Sequence, residues 1–171
     1  MTQPIGVRAF VGLGSNCETA ESMLAAARAA IGALPGMRCG AASPIYRTEP
    51  QGYADQPWFF NQVLEVFPAA EWRPCSLVDA LLDIEAKLGR VRSPNPALRF
   101  GPRVIDADLL LFGAERSDEA HCIVPHPRLV ERAFALRPLL DVAPEVLVNG
   151  RPLAWWLARL DCRVEGDRIF Q

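Results

Sequence analysis

Asp106 and Asp108 interrupt an otherwise apolar run, Val104 to Phe112, and four arginines, Arg90, Arg92, Arg99 and Arg103, come shortly before or at its start. The run reads as a strand. With a two-residue side-chain period, Val104, Asp106, Asp108, Leu110 and Phe112 share one face, and Ile105, Ala107, Leu109 and Leu111 share the other. Two carboxylates spaced in this way stand roughly 6 to 7 Å apart at Cβ, so their charge needs compensation. Arg99 and Arg103 can supply it as ion pairs, which leaves the loop a solvated basic segment. Alternatively, a hard divalent cation such as Mg2+ takes the carboxylates and completes its shell with water and phosphate oxygens, while the arginines grip the phosphates. Both arrangements use the same residue types.

The neighbouring elements must position this group. Val7 to Leu13 reads as a first strand, entering Gly14-Ser15-Asn16, where Ser15 or Asn16 is suited to cap a helix from about Glu18 to Leu34. Met37 to Arg47 and Trp58 to Phe67 read as the second and third strands, separated by a loop, Thr48 to Pro57, shaped by Gly and Pro. One face of the third strand sets Phe59 beside Asn61, a ring and an amide that suit the face and edge of a flat heterocycle. Ser76 opens a second helix with Asp79 three residues on, Leu77, Leu81, Ile84 and Leu88 form its buried stripe, and Gly89 ends it. Glu85, near that stripe, is expected to pair with Arg90 or Arg92. After the acidic strand come a polar turn, Gly113 to Glu119, a short edge strand, Cys122 to Val124, and a loop with a helix start, Pro125 to Phe134. Pro138 to Glu145 reads as packed loop, and Trp155-Trp156-Leu157 as the anchor of the C-terminal region. This order predicts a single α+β domain over 1–171: a ferredoxin-like βαββαβ sandwich, its four-stranded, mainly antiparallel sheet carrying helices on one face, plus a C-terminal extension.

Composition narrows the class. Across 171 residues, half are hydrophobic, 22% are charged and the net charge is −2, which gives no global reason to expect a nucleic-acid partner. Lys87 is the only lysine among 18 basic residues, so any anion is left to arginine, whose planar fork suits bidentate oxyanion binding. The five cysteines have no Cys-x-x-Cys spacing, and their odd number argues against a complete disulfide framework. With no leader or long apolar span in view, the expectation is a cytoplasmic protein without membrane contact. No Walker-type lysine motif occurs.

Several segments together carry a resemblance. Gly14-Ser15-Asn16, Tyr46-Arg47-Thr48, Gln56-Pro57 with Asn61, Gly89-Arg90-Val91-Arg92, Phe100-Gly101-Pro102-Arg103 with Asp106 and Asp108, and Val124-Pro125-His126 resemble the 6-hydroxymethyl-7,8-dihydropterin pyrophosphokinases of folate biosynthesis. The resemblance spans roughly Val7 to Glu145 and implies transfer of the β,γ-diphosphate of ATP to the hydroxymethyl oxygen of the pterin, with release of AMP. It implies two Mg2+ ions on Asp106 and Asp108, and catalytic roles for these and for Arg90, Arg92 and Arg103. The same three arginines and His126 would contact the triphosphate, and Leu109, Cys122 and Ile123 would border adenine. Pterin would sit among Gly14, Thr48, Gln51, Phe59, Asn61, Phe100 and Phe134, with Arg132 near the reacting side. Phe100 stands where tryptophan is common in such enzymes. The implied partners are small molecules acting on a monomer. The rival readings are another Mg2+-dependent nucleotide transferase and an RNA-binding module on the same fold.

Overall fold

The computed structural model describes residues 6–52, 54–95 and 102–171. In chain order the elements are β1 (Ala9–Ser15), α1 (Ala20–Gly32), β2 (Met37–Ala42), β3 (Tyr46–Thr48), β4 (Phe59–Pro68) and α2 (Pro74–Lys87). There follow β5 (Asp106–Phe112), β6 (Ser117–Glu119), β7 (Cys122–Val124), a 3-10 turn (Leu129–Glu131) and α3 (Ala133–Val142). The C-terminal part holds β8 (Leu147–Val148), β9 (Arg151–Pro152), α4 (Leu153–Leu157), β10 (Arg163–Glu165) and β11 (Arg168–Phe170).

The main sheet has seven strands rather than four, in the order β10-β11-β3-β4-β1-β5 with β2 also on β4. Its pairings are antiparallel except for β11 on β3, which is parallel. The predicted second strand is two strands. Pro44 has no N–H to give to the ladder, and at Ser43 side chains take over part of the pairing: Ser43 N still donates to Val63 O at 2.9 Å, but Ser43 Oγ accepts from Val63 N at 3.0 Å and Gln62 Nε2 donates to Ser43 O at 2.7 Å.

Helices cover both faces of the sheet, not one. Ala9, Val11, Leu13, Leu64, Val66, Ala107 and Leu109 face α1 and α2, where Leu24, Ile31, Leu77 and Leu81 complete one core. Phe10, Val63, Leu110 and Leu111 face α3 and α4, packing on Leu136, Leu139 and Leu153. The adjacent Leu110 and Leu111 share that core because a register shift between Phe10 and Val11 places a bulge in the β1–β5 pairing. Phe112 therefore lies with the α1/α2 core, and the alternation expected from Val104 to Phe112 holds only as far as Leu110.

Three local expectations change. Pro138 sits inside α3, because burial of Leu136 and Leu139 outweighs one lost helix hydrogen bond, so 138–142 is helix rather than loop. Helix α2 starts at Pro74, with Ser76 Oγ accepting from Arg73 N at 3.0 Å, so Ser76 lies inside the first turn. Helix α1 starts at Ala20 after Thr19, and neither Ser15 nor Asn16 caps it. Cys75 and Cys122 form a disulfide between α2 and β7, while Cys17, Cys39 and Cys162 are free. No helix among the described residues is long and apolar enough to cross a membrane.

Candidate active site

On the sheet face toward α3, the strand register sets Gly14 across from Asp106, Gly12 across from Asp108, and Gly14 across from Asn61. A Cβ on Gly14 would lie 2.7 Å from Asn61 Oδ1, so only glycine leaves room for that amide. Above these residues opens a cavity of about 780 Å³. Five arginines, at 90, 92, 103, 128 and 132, line it against three carboxylates, at 49, 106 and 108. The excess positive charge suits a polyanionic ligand.

One buried carboxylate organises the arginine side. Glu85, 2% exposed at the end of α2, accepts the backbone N–H of Ala107 at 2.8 Å and pairs with Arg90 at 3.0 Å and Arg92 at 2.6 Å. It thus takes both partners that the sequence offered. Arg90 continues to Asp106, which also binds Arg103 at 2.5 Å. Asn16 closes the far side: its Oδ1 accepts from Arg103 N at 2.7 Å, and its Nδ2 donates to Gln56 Oε1 at 2.9 Å and Pro57 O at 3.1 Å. Burial and the neighbouring Arg90 lower the pKa of Arg103 below that of a free guanidinium, so this side chain is primed to gain from an anion.

Asp108 behaves differently from Asp106. Its side chain is 47% exposed, and its nearest cation is Arg132 at 3.7 Å. His126 enters beside it because its backbone N–H donates to Leu110 O at 2.9 Å. The imidazole Nδ1 accepts from Arg128 N at 3.1 Å, so the ring proton lies on Nε2. Burial lowers the His126 pKa below 6.5 against an opposing pull from Asp108, which keeps the ring neutral at pH 7. At the other end of the cavity, Gln51, Phe59, Asn61 and Phe134 form the wall, and the Arg132 guanidinium lies 5.5 Å from the Phe134 ring centre. Thr48 does not line the cavity: it is buried behind Asn61 and accepts from Asn61 Nδ2 at 2.6 Å, which leaves the amide oxygen free to face the opening.

The sequence model of the 7,8-dihydro-6-hydroxymethylpterin-pyrophosphokinases matches residues 10–144. The chain belongs to this family. A 2-amino-4-hydroxy-6-hydroxymethyldihydropteridine pyrophosphokinase of Methylorubrum extorquens is 44% identical over 155 residues, 90% of this chain and 94% of the relative. One of Pseudomonas aeruginosa is 43% identical over 160 residues, 93% of this chain and 94% of the relative. Among solved structures, a Plasmodium falciparum HPPK-DHPS with pteroate superposes with a TM-score of 0.62 at 13% identity, a likeness of fold alone, covering 99% of this chain. This chain spans 48% of that one, and 44% of another HPPK-DHPS solved with substrates, where the TM-score is also 0.62. As a member of the pyrophosphokinase family the protein is a transferase, and its step belongs to folate biosynthesis.

Within that family setting the remaining expected residues divide. Leu109, Cys122 and Ile123 lie outside the main cavity and border a smaller one of about 240 Å³, which shares Arg92, Asp108 and His126 with it. Phe100, like Arg99, lies outside the described residues. For magnesium, the donor set fits: Asp108 presents hard carboxylate oxygens to the opening, and Asp106 adds a second carboxylate, held here by the guanidiniums of Arg90 and Arg103. The pyrophosphokinase cavity also has walls that the sequence did not single out. Gly12 was signalled by its two-residue spacing from Gly14, and Arg128 by its place two residues after His126. Glu49 and Gln171 carried no such signal.

Proposed function

We propose that the main cavity binds 6-hydroxymethyl-7,8-dihydropterin at its aromatic and amide end and the ATP triphosphate at its arginine end, with adenine in the smaller cavity. The pterin hydroxymethyl oxygen attacks the β-phosphorus. A new O–P bond forms, the bond from that phosphorus to the α,β-bridging oxygen breaks, AMP leaves with that oxygen, and the hydroxyl proton is released. The observation that carries this reading is the pairing in one cavity of five guanidiniums and two strand-borne carboxylates with the Phe59, Asn61 and Phe134 wall.

The roles follow from position. Asn61 Oδ1 accepts from the pterin edge, and Phe59 and Phe134 lie against its faces. Arg90, Arg92 and Arg103 take phosphate oxygens, Arg90 and Arg103 exchanging Asp106 for the incoming anion. His126 donates from Nε2, and Arg132 stands between Asp108 and Phe134 at the reacting end. Two Mg2+ ions held by Asp106 and Asp108 would neutralise charge on the bridging phosphates. Phosphoryl transfer depends chiefly on such positioning and charge stabilisation. The antiparallel order β5-β1-β4-β3 supports reading the fold as a ferredoxin-like βαββαβ unit with added strands.

Incubation with ATP, Mg2+ and the reduced hydroxymethylpterin should release AMP in step with pterin diphosphate. Release of pyrophosphate instead would assign a nucleotidyl transfer to this cavity and end the proposal.

A further inference from the structure

The segment beyond residue 144, which the family model does not reach, returns to the cavity. Strand β11 pairs parallel with β3, setting Ile169 across from Thr48, and Glu49 N donates to Ile169 O at 3.1 Å. Gln171 then clasps Glu49 twice: its backbone N–H donates to Glu49 Oε2 at 2.8 Å, and its side-chain Nε2 donates to Glu49 O at 3.2 Å. The Trp58 and Phe170 rings, 5.3 Å apart edge to face, hold the strand's end beside the entry to β4. Both Glu49 and Gln171 border the main cavity together with Gln51, Gly52 and Phe59.

The clasp fixes which way the Gln171 amide points. Its nitrogen must face the Glu49 carbonyl, because a flipped amide would set two acceptors against each other. The oxygen Oε1 is then buried, and among the described residues it has no hydrogen-bond partner. A buried acceptor left in this state has lost its water and gained nothing in return, so a donor supplied by a ligand is favoured there. Every other buried side-chain nitrogen or oxygen of the described residues is satisfied. The unmet acceptor thus belongs to a residue that borders the cavity beside Gln51 and Phe59, at the proposed heterocycle end.

We infer that Gln171 is a specificity residue: on substrate binding its Oε1 accepts a hydrogen bond from the amino-substituted edge of the pterin. The inference rests on the proposed pterin site and adds a residue to it. Asn61 and Gln171 then present two fixed amide oxygens to one flat molecule, and a ring lacking the exocyclic amine leaves Oε1 unmet. The C-terminal strand thus contributes to substrate choice.

Equilibrium binding of 6-hydroxymethylpterin and its 2-deamino counterpart, followed by ligand fluorescence with a non-hydrolysable ATP analogue present, tests this in the full chain. Wild type should prefer the amino form, and Gln171→Met should reduce that preference about tenfold, equivalent to about 1.4 kcal/mol. A purely structural role would weaken both ligands alike, so an equal loss overturns the inference, as does an unchanged preference or no pterin binding by wild type. An intact wild-type preference that Gln171→Met reduces, without AMP release in the separate turnover assay, would count against the transfer reaction and leave this inference standing.

Discussion

Asn16 Oδ1 holds the backbone N–H of Arg103 at 2.7 Å while Asn16 Nδ2 holds Gln56 and Pro57 at 2.9 and 3.1 Å. A single amide at the end of β1 thus ties the segment leading to β5 to the segment leading to β4. Asn16→Ala removes all three bonds and lets both approach segments drift. The expected result is at least a tenfold fall in kcat/KM, with a stability loss of about 1–3 kcal/mol. Steady-state AMP release and urea unfolding measure the two, and an unchanged kcat/KM would show that the tie is dispensable.

The two aspartates should separate in a way that their sequence positions conceal. Asp108→Ala removes a half-exposed carboxylate whose ion pair with Arg132 is long, at 3.7 Å, so it should abolish turnover and Mg2+ binding while leaving the melting temperature near wild type. Asp106→Ala also removes the carboxylate that Arg90 and Arg103 share, so it should lose turnover and stability together. Calorimetric Mg2+ titration in the presence of an ATP analogue, alongside thermal melting, reads both. Near-normal turnover in either variant would remove these carboxylates from the mechanism.

Glu85, almost fully buried at the edge of the smaller cavity, holds two arginines of the main one and the start of the β5 backbone. Glu85→Ala leaves the Ala107 N–H and Arg90 without that partner, at an expected cost of about 3–5 kcal/mol, the range for breaking a buried pair. Glu85→Gln keeps an acceptor and should cost less. Urea midpoints rank the two, and equal, small losses would show that Arg90 and the strand do not depend on this carboxylate.

Protonation of His126 should oppose folding. Its folded pKa lies below 6.5, so the unfolded chain binds the proton more readily, and stability rises with pH through the interval just under 6.5. The contribution is complete above that value and is lost as pH falls. The acceptor bond from Arg128 N to Nδ1 is the contact that breaks. An NMR titration of the His126 ring in metal-free protein should place its midpoint below 6.5, and a midpoint above it would reverse the sign.

How far the site could be read from sequence depended on the range of the forces involved. Asp106, Asp108 and Asn61 were legible because strand alternation is local, Glu85 because it falls seven residues after Val78, near the buried side of its helix, and Gly14 through the family resemblance. The bulge at Leu110 was not, since it arises from the β1–β5 register, a non-local pairing that no window of sequence contains. Pro138 misled for the converse reason: a strong local signal for loop yields to burial of its helical neighbours. Likewise Thr48 reads as a wall residue and proves to be the support behind Asn61, a distinction made only by burial. Glu49 and Gln171 meet only because β11 crosses back to β3.

The bridge between Cys75 and Cys122, 47 positions apart, encloses the arginine loop and β5 in one covalent ring. A protease that cuts anywhere inside that ring leaves the pieces joined, so damaged enzyme migrates as whole on a non-reducing gel and separates only after thiol treatment. With the bridge intact, a nicked chain stays covalently joined through Cys75 and Cys122; in a reduced chain only the packing and strand pairing hold the two pieces together. Loss of activity after proteolysis should therefore depend on the thiol present more than on the cut itself.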